Sequence, residues 1–207
     1  MPIFLDDIDY RKFLFILADV LDAHDVECWD YCVMPNHFHI TLRNRLPNLS
    51  KAIQHLNGEY ATWWNGRHHR VGHVFQGRYK DQIVQKEGYL ATLFQYVALN
   101  PVRANLVRAP EEWPWSAYAS IAGLAPNPGF LSADLVLAEF GTESPRMCRE
   151  RYIAGVRAKW EDEDRIVKQL RSRGRVVGDA WFKRFVLEET APPLAAPAVS
   201  QAYLGYL

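Results

Sequence analysis

Apolar residues recur at Phe13, Ile16, Leu17, Val20 and Leu21, the spacing of a helix that buries one face. Asp6 or Asp7 stands where such a helix needs an N-cap, so the pattern predicts a helix from about Asp9 to Ala23. The period then changes. Val26 to Met34 and His37 to Asn44 are strand-like runs separated by the turn dipeptide Pro35-Asn36, which predicts an antiparallel hairpin. Asn48 or Ser50 opens a second helical pattern through Ile53, Leu56, Tyr60 and Trp63 or Trp64, closing near Gly66 and followed by a basic loop, Arg67 to Gly72. His73 to Gln85 reads as a strand with a bulge or bend at Gly77. A further helix is expected from Glu87 to Leu99, interrupted at Asn100-Pro101 because the residue before a proline disfavours helical geometry.

Helix, strand, strand, helix, strand, helix is the order of an α+β, ferredoxin-like unit whose first strand is missing. That strand belongs inside the sheet, so its place is expected to be filled by the chain's own tail, by a partner, or by residues of a longer gene product. After Trp113-Pro-Trp115 the sequence reads as helices and loops to about Glu189, then as a Pro/Ala-rich linker or tail from Ala191 to Ala198. The expected organisation is a sheet domain over residues 1–120, a helical extension over 121–190 that is a candidate accessory DNA-binding region, and a tail over 191–207. Gln169 to Phe185 fits a loose helix-turn-helix, but a plain helical appendage is the favoured reading.

The 207 residues are 49% hydrophobic, which excludes disorder as the main state. Three cysteines make a disulfide framework an unfavoured reading and point to a reducing cytoplasm. No run is long and apolar enough to span a bilayer, and no export signal is evident. The formal charge is zero overall, yet residues 1–40 carry net −6, residues 41–110 net +7 and residues 111–207 net −1. The basic middle is either a solvated face or a groove for a phosphate backbone.

Strand alternation puts Phe38, Ile40 and Leu42 on one face and His37, His39 and Thr41 on the other. Two imidazoles two residues apart on a strand can share a divalent cation; the same pattern also suits an ordinary polar face. On the following helix, Tyr96 and Asn100 are one turn apart, as expected of a phenol nucleophile beside an amide ligand, although a lone helical tyrosine is more often a core residue.

Four separated strings settle the comparison: Cys32-Val-Met-Pro-Asn-His37-Phe-His39-Ile; Gly72-His-Val-Phe-Gln-Gly-Arg78-Tyr-Lys; Tyr96-Val-Ala-Leu-Asn100-Pro-Val-Arg-Ala-Asn-Leu-Val; and Trp113-Pro-Trp-Ser-Ala-Tyr. Together, and in this order, they resemble the REP-associated tyrosine transposases of the HUH single-tyrosine superfamily. The resemblance covers about residues 3 to 120. It implies that 1–120 is a catalytic domain in which His37, His39 and Asn100 hold Mg²⁺ or Mn²⁺ and Tyr96 attacks a phosphodiester in single-stranded hairpin DNA. A 5′-phosphotyrosine link and a free 3′-hydroxyl would result. Arg67, His68, His69, Arg70, Arg78, Lys80, Arg103 and Arg108 then become candidates to hold the DNA backbone, with Trp63, Trp64, Tyr79 or Tyr89 as stacking platforms. The expected partner is the hairpin, for a protein acting as monomer or homodimer. The alternative functions are a domesticated, non-catalytic DNA-binding regulator and a metal-dependent hydrolase that does not use Tyr96.

Overall fold

A computed structural model describes residues 2–77, 79–159, 168, 170, 175–188 and 198–204. Helix α1 (Asp7–Ala23) begins at Asp6, whose extended backbone and carboxylate accept the amides of Ile8 and Asp9 at 3.0 and 3.2 Å. Its apolar stripe is buried from Tyr10 to Leu21. Strands β1 (Val26–Met34) and β2 (His37–Asn44) form the expected hairpin, in a register that pairs Met34 with His37 and Cys32 with His39 and shifts between Cys28 and Asp30. Helix α2 (Leu49–Arg67) packs against α1.

Alternation along β2 separates two layers. Phe38 lies 4.5 Å, ring to ring, from Phe13 of α1, so α1 covers that face. His39 points the other way, where α3 (Leu90–Ala98) packs on β1. Helix α3 starts at Leu90, not near Glu87, because Gly88 turns the chain at φ 76°. It stops at Leu99, and the short helix α4 (Asn100–Arg103) follows with Pro101 in its first turn, where a missing amide proton costs nothing.

The third strand is shorter than the sequence pattern suggests: β3 spans Lys80–Gln85, and neither His73 to Gly77 nor Tyr79 is strand. Gly72 and Gly77 adopt φ 103° and 93°, left-handed backbone that breaks an extended ladder. The apolar residues of that loop still serve the core. Val74 is buried and the Phe75 ring sits 6.2 Å from Phe38 and 6.1 Å from Tyr60.

Beyond α4 come short helices α5 (Tyr118–Ile121) and α6 (Ala133–Leu137) and the longer α7 (Pro145–Ala158). The Trp113-Pro-Trp115 segment runs along the outer edge of β1: Trp113 Nε1 donates to the Val33 carbonyl at 3.0 Å and the Val33 amide donates to the Trp115 carbonyl at 2.8 Å. Helix α7 packs on α3, with Gly155 set against the side-chain amide of Gln95. The extension is therefore built onto the sheet domain.

Two segments of the C-terminal part also enter the sheet. Val176–Val177 forms strand β4, parallel to β3, and is followed by helix α8 (Ala180–Glu188), so the described part of the suspected helix-turn-helix is strand then helix. Of the first half of that motif only Leu170, helical and buried, is described. Residues Ala198–Leu204, expected in the tail, form strand β5. The sheet order is β1-β2-β5-β3-β4, with β5 antiparallel to both β2 and β3. The chain's own tail thus occupies the inner position that the element order left open.

Candidate active site

The hairpin brings two imidazoles together. His37 Nε2 and His39 Nε2 are 3.1 Å apart, with the rings nearly perpendicular at 86°. On its far side His37 Nδ1 meets Asn36 Oδ1 at 2.8 Å, an outer contact that fixes ring orientation in the way ligand histidines require. Burial pushes the His37 imidazole below the usual histidine range, and burial together with the neighbouring His37 pushes His39 well below it. Both rings are accordingly neutral at pH 7, the form that binds a cation.

Tyr96 reaches the same place from α3. Its ring stands edge-on to that of His39, 6.2 Å between centroids and 80° between planes, and the residue is 8% exposed. One turn later, Asn100 Nδ2 donates to the carbonyls of Tyr96 at 3.0 Å and Val97 at 3.4 Å. With the amide nitrogen committed to its own helix, Oδ1 is the side-chain atom that remains as a possible donor. The Arg103 guanidinium lies over the Tyr96 ring at 5.3 Å, and its Nη2 donates to the Lys159 carbonyl at the end of α7, 3.3 Å away.

The donor set fits a small divalent cation. Two nitrogens 3.1 Å apart subtend about 95° at an ion about 2.1 Å from each, which is the angle between neighbouring ligands of an octahedron. Among the described residues no group of three or more His, Cys, Asp or Glu converges.

The basic residues do not form one group. Arg67 pairs with Asp6 at 2.7 Å and with Asp9, and His68 Nε2 is 2.9 Å from Asp9 Oδ1. Asp9 is fully buried and also accepts the Leu5 amide at 2.7 Å. Arg67 and His68 therefore tie the end of α2 to the start of α1. His69 is exposed in the turn beyond α2 at φ 51°, and Arg70 is exposed with its guanidinium 5.7 Å from the Trp64 ring. Lys80 and Arg108 are exposed, Arg103 sits on Tyr96, and Arg78 lies outside the described residues. Of the stacking candidates, Trp64 and Tyr89 are buried core residues. Trp63 and Tyr79 are half-buried; the Tyr79 hydroxyl is 2.6 Å from Ser50 Oγ.

The sequence reading passed over Asp30. It is buried beside the histidines' layer as the cross-strand partner of Thr41, and among the described residues Asp30 Oδ2, Thr41 Oγ1, Gln95 Oε1 and Tyr152 Oη have no hydrogen-bond partner. Burial raises the Asp30 carboxyl well above its ordinary range. A charged residue between Trp29 and Tyr31, in the apolar run Cys28 to Met34, was the available signal.

Paired histidines on the β1-β2 hairpin thus stand beside a tyrosine from a helix on the same side of an α+β sheet. Residues 2–100, nearly half of the chain, match the family model described as "Transposase IS200 like". Over 124 residues the chain is 23% identical to the "Putative REP-associated tyrosine transposase" of Haemophilus influenzae, a match covering 53% of this chain and 69% of that protein. No solved structure matches. No helix among the described residues is long and apolar enough to cross a membrane.

Proposed function

We propose that this protein cleaves and rejoins single-stranded hairpin DNA through Tyr96, with a divalent cation, Mg²⁺ or Mn²⁺, held by His37, His39 and Asn100. The observation that carries the reading is the convergence of His37 Nε2 and His39 Nε2 at 3.1 Å next to the Tyr96 ring, 6.2 Å from that of His39. When bound, such an ion polarises the scissile phosphate and offsets the charge that builds up on its oxygens. A phenol with a reference pKa of about 10 is a weak nucleophile at neutral pH, so that assistance has a defined task.

In the reaction, Tyr96 Oη forms a bond to phosphorus as the bond from phosphorus to the 3′ oxygen breaks. The phenol proton is released, and the departing 3′ oxygen takes one up. The phosphate stays esterified throughout, so the reverse attack by a 3′-hydroxyl rejoins DNA without an outside energy source. The buried setting of Tyr96 limits competing attack by water. His69, Arg70, Lys80 and Arg108, exposed on the basic middle of the chain, are the residues proposed to track the DNA backbone, with Trp63 as the stacking surface.

The test is incubation of the full chain with a single-stranded DNA hairpin and Mn²⁺, the DNA labelled at its 3′ end because the fragment 3′ of the cut remains on the tyrosine. A covalent adduct that disappears in Tyr96→Phe supports the proposal. Cleavage that survives Tyr96→Phe identifies a hydrolase instead, and binding without cleavage identifies a non-catalytic regulator.

A further inference from the structure

Arg103, a candidate for the DNA backbone in the sequence, sits instead over the ring of Tyr96. Its guanidinium carbon stands 5.3 Å from the centroid of the Tyr96 ring, within the range of a cation–π contact. The same guanidinium donates from Nη2 to the carbonyl of Lys159 at 3.3 Å. Lys159 is the C-cap of α7, where helix carbonyls lack partners and the dipole favours a positive charge. Arg103 is half-buried and comes from α4, the turn that follows the break at Asn100-Pro101.

The Tyr96 ring is held between His39 on one side and Arg103 on another, and Arg103 is in turn anchored by the helical extension. We infer that Arg103 is a positioning residue for the nucleophile: it fixes the Tyr96 ring beside the histidine pair and makes that position depend on the seat of α7. This rests on the reading of Tyr96 as nucleophile and deepens it, because it assigns the extension beyond residue 120 a part in the reaction. A planar guanidinium can stack on the ring and donate in its own plane to a carbonyl at once, whereas an ammonium cannot do both.

Two measurements test this. In the DNA-free, metal-free protein, the side-chain protons of Arg103 are expected to be shifted upfield in the NMR spectrum by the Tyr96 ring current, and to return to ordinary positions in Tyr96→Leu. Absence of that shift overturns the contact, whatever the enzyme does. In single-turnover reactions with saturating 3′-labelled hairpin and Mn²⁺, Arg103→Gln is expected to slow adduct formation about 10- to 100-fold, as misplacement of a reacting group does. Arg103→Lys is expected to recover little of that loss, and both variants should keep hairpin affinity within about 2-fold, as a lost phosphate contact would not. If Arg103→Gln does not fold, Arg103→Lys is read by the same criteria. A fall in affinity with an unchanged saturated rate would mark Arg103 as a DNA contact, and unchanged rate and affinity would mark it as a bystander; either overturns the inference. Failure of the wild-type protein to form any adduct, with the ring-current shift intact, would count against the nucleophile reading and leave the contact standing.

Discussion

His39 and Tyr96 meet edge to face, 6.2 Å between ring centroids, although one belongs to an inner strand and the other to a helix laid across the sheet. The imidazole pair and the phenol are thereby held by separate rigid elements, which is how a site keeps its geometry through a reaction that breaks the substrate.

Removing the cation is expected to stop cleavage while leaving the fold intact. Mn²⁺ at about 100 times its dissociation constant should stabilise the native protein by about 2.7 kcal/mol. His37→Ala and His39→Gln should each lose most of that thermal shift. A shift retained in both variants would separate the histidines from the metal.

Proton competition supplies the pH dependence of the metal-free protein. The folded-state value of His39 lies well below the usual histidine range, so the unfolded chain takes up the proton first as pH falls. The stability associated with the neutral ring is present above about pH 6.5 and is lost on acidification. Thermal midpoints measured from pH 7.5 to 5 should fall less steeply in His39→Gln than in the wild type.

Asp30 works in the opposite direction. Its folded-state value is raised by burial, so below about pH 4 the carboxyl is neutral in both states and costs nothing through ionisation. As pH rises the unfolded chain ionises and the folded chain resists, and stability is lost. Asp30→Asn is expected to be more stable than the wild type at pH 7 by about 1–3 kcal/mol, with the gap closing toward pH 4. Denaturation curves at the two pH values check both the sign and the trend.

Asp9 and Arg67 should behave as structural residues. Asp9→Ala removes the buried acceptor of the Leu5 amide and of the Arg67 and His68 side chains, with an expected loss of about 3 kcal/mol. Arg67→Gln should lower the thermal midpoint without changing the salt dependence of hairpin binding. Neutralising Arg70, Lys80 or Arg108 should do the reverse, flattening the salt dependence while sparing stability.

Deleting residues 198–207 is expected to expose the facing edges of β2 and β3, which pair with β5 and not with each other. Amide hydrogen exchange should accelerate along both strands, and the thermal midpoint should drop. Unchanged exchange on deletion would show that β5 does not close the sheet.

Local periodicity was sufficient for much of this protein. The apolar stripe of α1, the hairpin around Pro35-Asn36 and the break before Pro101 are short-range properties, and β1 and β2 occur at the expected boundaries. Alternation also turns His37 and His39 to one face and four positions separate Tyr96 from Asn100, but only the resemblance to a known family gave those residues a chemical role. What the sequence could not contain was the choice of long-range partners. Charge count cannot tell that Arg67 closes on Asp6 and Asp9, or that Trp64 and Tyr89 lie in the core. Nothing within Ala198–Leu204 names the slot between β2 and β3, because strand pairing joins backbone groups that every residue carries. The placing of Arg103 between Tyr96 and the end of α7 was likewise decided by packing, since Arg103 and Lys159 are 56 positions apart in the chain.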